Sequence, residues 1–246
     1  MLITSLDNKK VKLIKELNER KNRLKYGFFV VFGEHLVEEA IKSGFIFEIY
    51  ILEGEEFQTP KDVLVYYLTR EVMKKICPLS SIPSVLGVCK INNKNEIKGD
   101  HILILEDIQD PGNLGTIIRT SCAFSVDTII LSPNTVDIYN DKVIRSTQGM
   151  IFNVNYVIMD VKKAILYLKE KNYPIYGTDV LKGEDARNVN ASRYALIMGN
   201  EGQGVREETK KMCDKFLYIK MNNKCESLNV SVATSILLYE LGYQHE

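Results

Sequence analysis

Three short stretches of the chain set side chains able to bind or activate a ligand against apolar runs. The first, "PGNLGTIIRTSCAF", begins at Pro111. Pro111 and Gly112 read as a turn and Asn113 as the cap of a helix running to Phe124. Ile117, Ile118, Ala123 and Phe124 would form that helix's buried face, which places Arg119 beside or within it. A guanidinium so placed either takes an anionic partner or snorkels to a surface carboxylate. The second stretch, "GNEGQGV" from Gly199, surrounds Glu201 with glycines, so backbone amides and carbonyls can approach a ligand closely. Glu201 could orient a hydroxyl, pair with a cation or cap a tight turn. The third, "CESLNVSVATSILLYE" from Cys225, sets Glu226, Ser227 and Asn229 at the head of an apolar helix expected from about Leu228. Ser227 suits the N-cap, and Asn229, a poor helix former, is free to aim its amide into the same cleft.

Other chemistries are excluded by spacing. Gly199, Gly202 and Gly204 do not match G-x-G-x-x-G, and no Lys-Ser or Lys-Thr follows them, so neither dinucleotide nor P-loop binding is indicated. His35, His101 and His245 are far apart, and the five cysteines include no C-x-x-C pair, so no metal site is expected.

The elements that must position these residues alternate in type. From His101, "HILILED" is a continuous apolar run suited to a parallel strand covered on both faces. Strands are then expected at Thr128–Ser132, Ile151–Val157, Pro174–Gly177, Tyr194–Met198 and Phe216–Lys220, with helices at Asp141–Gln148 and Val161–Lys171 between them. This is an α/β pattern with a parallel sheet, whose ligands sit beyond the carboxyl ends of the strands. Each of the three stretches follows such a strand.

Upstream, "FFVVFGEHLVEEAIKSGFIFEIYIL" reads as strand, helix, stop at Gly44 and strand; "DVLVYYLTREVMKKIC", with Thr69 as helix cap, and "SVLGVCKI" continue the alternation. The polar run "NNKNEIKGD" at 92–100 reads as a linker, dividing a domain of residues 1–95 from one of residues 96–246. The opening segment has Val11, Ile14, Leu17 and Leu24 at helical spacing for one or two turns of amphipathic helix. It carries eight Lys or Arg against three acids over residues 1–26, so it is either a phosphate-facing segment or a solvated helix face. Overall charge is balanced, with 32 Lys plus Arg and 32 Asp plus Glu, and does not advertise a polyanionic partner. No apolar run is long enough for a membrane span, and the opening residues lack the core of a secretory signal, so a cytoplasmic protein is expected.

Taken together, the three stretches resemble the three signature motifs of the SpoU (TrmH-like) family of RNA ribose 2′-O-methyltransferases, within the SPOUT superfamily. "PGNLGTIIRTSCAF", "LIMGNEGQGV" and "IKMNNKCESLNVSVATSILLYE" occur in the family's order, over roughly Ile102 to Gly242. Residues 1–95 look like the smaller α/β substrate-binding domain, similar to a ribosomal RNA-binding protein, that precedes the catalytic domain in many members. The resemblance implies a catalytic domain whose C-terminal segment, about Tyr194 to Tyr243, is tucked into a trefoil knot. It also implies a homodimer through the knot region, with Val230, Val232, Ala233, Ile236, Leu237, Leu238 and Leu241 covering most of the last helix.

The cofactor so implied is S-adenosylmethionine, against Gly199, Ile219 and Leu228, with no metal. The family's catalytic positions fall on Arg119, Asn113, Glu201, Ser227 and Asn229. Arg119 would act as a base or as a clamp on the phosphate beside the target ribose; its high pKa favours the clamp, with Asn113 and Glu201 holding it or the substrate. The basic opening helix favours ribosomal RNA over tRNA as partner. A non-catalytic RNA-binding module on the same scaffold is the alternative.

Overall fold

The computed structural model describes residues 1–91, 96–180, 183–189, 191–222 and 224–242. Two compact units emerge, one of Met1–Asn93 with Tyr139–Asn153, the other of Lys94–Ile138 with Val154–Glu246.

In the first unit the order is β1 (Leu2–Ile3), α1 (Lys9–Glu16), α2 (Arg20–Tyr26), β2 (Phe28–Phe32), α3 (Glu34–Lys42), β3 (Ile46–Leu52), β4 (Leu64–Leu68), α4 (Arg70–Ile76) and β5 (Val85–Lys90). Its sheet runs β1-β4-β3-β5-β2; β1, β4 and β3 are mutually parallel, and β5 is antiparallel to both β3 and β2. Val11, Ile14 and Leu17 are buried, as their spacing requires. Leu24 is exposed instead, because the helix breaks after Glu16 and its phase does not carry into α2. Arg23 takes the buried place and donates to Leu17 O at 2.7 Å. Lys10, Lys12 and Lys21 pair with Glu48, Asp7 and Glu19, so part of the basic opening segment is neutralised locally.

The second unit begins with β6 (His101–Leu105), α5 (Pro111–Ala123) and β7 (Thr128–Leu131). The chain then contributes α6 (Asp141–Thr147) to the first unit before returning as β8 (Tyr156–Ile158). The strand expected at Ile151–Val157 is therefore short and late. Gln148 and Gly149 adopt left-handed backbone, and a single 3-10 turn at Met150–Phe152 follows. Phe152 stacks near Phe29 and Phe45 in the first unit, and pairing with β7 starts only at Tyr156. Next come α7 (Val161–Glu170), β9 (Ile175–Thr178), β10 (Glu184–Asp185), β11 (Tyr194–Met198), α8 (Glu207–Lys210), β12 (Lys215–Tyr218) and α9 (Val230–Gly242).

All pairings in this sheet are parallel, in the order β10-β12-β9-β11-β6-β7-β8. The chain leaves β6 toward β7 and β8, then returns on the other side, with β11 inserted between β9 and β6. That reversal creates a crevice beyond the strands' carboxyl ends. Helix α9 lies along α5, where Thr120 and Ser235 hydroxyls meet at 3.2 Å and the Phe124 and Tyr239 rings meet edge to face. Its apolar surface is not covered all round: Val232 and Tyr239 are each 47% exposed. Among the described residues, no helix is long and apolar enough to cross a membrane.

Candidate active site

Helix α5 starts at Pro111, and its cap is Asp110, not Asn113: the Asp110 carboxylate accepts from Asn113 N at 2.9 Å. Proline at the first helical position needs no N–H partner and is pre-set for helical φ, which fixes the start there. The Asn113 side chain is thereby released from capping. Its Nδ2 donates to Glu201 Oε1 at 3.2 Å, and its Oδ1 accepts from Asn229 Nδ2 at 2.9 Å.

Asn229 holds the other end. Helix α9 begins at Val230, and Asn229 Oδ1 accepts from Ser231 N at 2.9 Å and Ser231 Oγ at 2.6 Å. Asn229 is the capping side chain that Ser227 was expected to be, because the helix starts two residues later than its apolar run suggests. One amide thus caps α9 with its oxygen and reaches α5 with its nitrogen. The line Glu201, Asn113, Asn229 and Ser231 ties all three stretches together.

Glu201 anchors this line. Its carboxylate accepts from Gln109 N at 3.1 Å, Asp110 N at 3.0 Å and Asn113 Nδ2. Burial acts most strongly on it and opposes ionisation, but hydrogen bonds from Asp110, its own amide, Asn113 and Gln109 together hold its pKa below the ordinary value. Glu201 is an ionised acceptor that fixes the turn before α5.

The glycine loop is shaped by its own backbone. Asn200 and Gly204 exchange hydrogen bonds of 3.1 and 2.8 Å across a tight reversal. A Cβ on Gly199 would sit 2.1 Å from Gly204 C, so glycine is required there for the loop to fold on itself. The tight turn is thus one reason for the glycine at 199. The loop is pinned to the end of β6: Asn200 Nδ2 donates to Asp107 O at 2.8 Å, Arg206 pairs with Asp107, and buried Glu106 accepts from Arg206 N at 2.8 Å.

Beyond the ends of β9, β11 and β12 lies a cavity of about 450 Å³. Gly199, Ile219 and Leu228 line it, as do Glu201, Glu226 and Ser227, with Val230, Ala233 and Leu237 of α9 as an apolar wall. Its volume is within the range of roughly 300–1,000 Å³ usual for small-molecule and cofactor sites. Ser227 is exposed at the rim and plays no part in the Glu201 line among the described hydrogen bonds.

Arg119 differs from its expected placement. Leu114, Gly115, Ile117, Ile118 and Ser121 form the buried face of α5, whereas Arg119 and Ala123 are exposed. Arg119 makes no hydrogen bond or ion pair with a described residue, so its guanidinium remains available to a ligand.

Comparison with known proteins gives this arrangement its family. Residues 100–239 match the model of the SpoU rRNA methylase family, and residues 8–86 match that of the MRM3-like substrate binding domain. The chain belongs to the SpoU rRNA methylase family. One relative, the 23S rRNA (guanosine(2553)-2'-O)-methyltransferase RlmP of Bacillus subtilis, is 36% identical over 245 residues, spanning 97% of this chain and 98% of that one. The crystal structure of an AdoMet-bound rRNA methyltransferase from Sinorhizobium meliloti superposes with a TM-score of 0.85 at 26% identity, covering 98% of this chain and 96% of the other. All three stretches lie within or close to the matched SpoU segment, and the second and third line the cavity.

Four participants were not singled out by residue type: Asp107, Gln109, Asp110 and Asn200. A signal for one was present, since Asp followed directly by Pro before an apolar run marks a helix start. The others make contacts set by how the loops fold together, Asn200 through its side-chain amide and Asp107 through both its carboxylate and its carbonyl, which residue type does not reveal.

Proposed function

We propose that this protein transfers the methyl group of S-adenosylmethionine to a ribose 2′-hydroxyl of ribosomal RNA. Residues 96–246 act as the methyltransferase domain and residues 1–95 as the RNA substrate-binding domain. The observation that carries this reading is the junction of Glu201, Asn113 and Asn229 beside the cavity. That a relative similar over nearly its whole length is a 23S rRNA 2'-O-methyltransferase favours ribosomal RNA over tRNA.

The cavity suits the cofactor. Val230, Ala233 and Leu237 offer apolar surface to an adenosyl group, Gly199, Ile219 and Leu228 offer backbone edges, and Glu226 and Asp179 suit a cationic centre. When bound, S-adenosylmethionine supplies a methyl group on a sulfonium, a carbon already activated for displacement.

The remaining difficulty is the hydroxyl, whose proton neutral solution does not remove. A guanidinium is a poor base. The Arg119 guanidinium, unpaired among the described residues, instead holds the phosphate beside the target ribose and stabilises the alkoxide charge that develops as the hydroxyl attacks the methyl carbon and releases its proton to water. Asn113, Glu201 and Asn229 hold one another, so their part is to fix the helix ends around the ribose; Ser227 presents its hydroxyl at the cavity rim.

The C-terminal segment from Tyr194 forms the family's trefoil knot, and two copies associate through that region. Val232, Ile236 and Tyr239, spaced along one side of α9, are the surface for that contact. The enzyme works in the cytoplasm, where its substrate is made.

The test is an Arg119→Ala protein assayed with labelled S-adenosylmethionine and ribosomal RNA. Transfer should fall about 10²–10³-fold, as when an oxyanion donor is removed, with cofactor affinity unchanged. An unaltered rate would remove Arg119 from the chemistry.

A further inference from the structure

In the first unit, β3 shifts register against β5: Ile46 lies opposite Cys89 and Glu48 opposite Val88, leaving Phe47 as the extra residue of a bulge. Bulges re-aim side chains and concentrate at functional edges. Here the bulge turns Phe47 outward to 38% exposure and lays its ring on Phe28, with centroids 4.8 Å apart and planes inclined by 32°. Lys90, paired with Phe28 across β2 and β5, holds its ammonium 5.1 Å from the centre of the Phe47 ring. Just before β2, Lys25 sits over the Tyr26 ring at 4.9 Å. Neither lysine forms an ion pair with a described carboxylate. Of the five other lysines of the opening helices, Lys10, Lys12 and Lys21 form ion pairs.

We propose that Phe47, backed by Phe28 and with the Lys90 ammonium beside its ring, is a stacking platform for unpaired bases of the RNA substrate. The inference rests on the reading of the substrate as RNA and adds which surface of the first unit engages it and by what chemistry. Every base has a π-face that a Phe ring can accept, and unpaired RNA is recognised by stacking on aromatic side chains combined with cations tracking the backbone. Lys90 marks the ring face that a base would take; its flexible stem lets the ammonium turn to the adjoining phosphate. A paired helix keeps its bases stacked on one another and cannot use the platform.

The experiment uses the full chain with single-stranded ribosomal RNA fragments, and the same fragments annealed to their complements. Phe47→Ala should raise KM for the single-stranded fragments about 5- to 50-fold, with kcat and cofactor affinity unchanged, and Phe47→Tyr should restore it. Lys90→Gln should weaken binding and lower its salt dependence by about one phosphate contact. Phe47 is a partly exposed residue near the start of β3, and a melting temperature close to that of the unmodified protein confirms that each variant is folded. An unchanged KM in Phe47→Ala, or an equal loss on the annealed duplex, would overturn the platform while leaving the methyltransferase reading intact. An unmodified protein that methylates neither form would overturn that reading and the platform with it.

Discussion

Glu201 collects donors from two backbone amides and one side-chain amide while standing partly in solvent, and those contacts depress its pKa below 4.5. A carboxylate whose folded pKa is lowered contributes stability that is complete above the unfolded value and is lost as pH falls through the folded one. The turn before α5 should therefore hold at neutral pH and loosen as pH falls through the lowered pKa of Glu201. Glu201→Gln removes the charge and turns an N–H toward donors, so it should lower kcat at neutral pH and flatten the acid limb of the stability profile. A pH titration of melting temperature on both proteins checks this; identical acid limbs would show that Glu201 does not anchor the turn. At this scale residue types were legible and roles less so. Asn113, Glu201 and Asn229 stood out as polar groups beside apolar runs, and they do meet. Which of them caps a helix depended on where each helix starts, a matter of one or two residues that apolar periodicity does not resolve.

The glycine loop and the two helix ends form the next level. Gly199 has no room for a Cβ because Gly204 and Val205 backbone occupies the space. Gly199→Ala must push those strands of the loop apart, and the loop also walls the cavity. Its expected signature is a loss of S-adenosylmethionine affinity of tenfold or more, seen by calorimetry, with most of the fold retained; full affinity would contradict the close packing. The βα alternation of the second unit was readable because β6, β7 and β11 are continuous apolar runs buried on both faces, a pattern that survives any change of partner strand. The segment Ile151–Val157 was not readable in the same way. Its apolar residues look like a strand, but Phe152 is used to cover Phe29 and Phe45, and the left-handed turn at Gln148 and Gly149 sends the chain there first. Position 24 failed for a similar reason, since a helix break resets the phase.

For the molecule as a whole, strand order and association were beyond what periodicity contains. The insertion of β11 between β6 and β9 is a fact of pairing, and only the family resemblance suggested a C-terminal segment tucked through a loop as a trefoil knot. The exposed Val232 and Tyr239 on α9 carry the prediction about association. Tyr239→Glu places a charge on that face and should shift the protein from dimer to monomer in sedimentation equilibrium; a dimer that persists unweakened would place the contact elsewhere.

The central claim concerns where the methyl group lands. Labelled S-adenosylmethionine would be incubated with the protein and either ribosomal RNA or tRNA, the RNA digested, and its nucleosides separated. The account predicts label in a single 2′-O-methyl nucleoside of ribosomal RNA and none in tRNA. Label on a base, or label confined to tRNA, would contradict it.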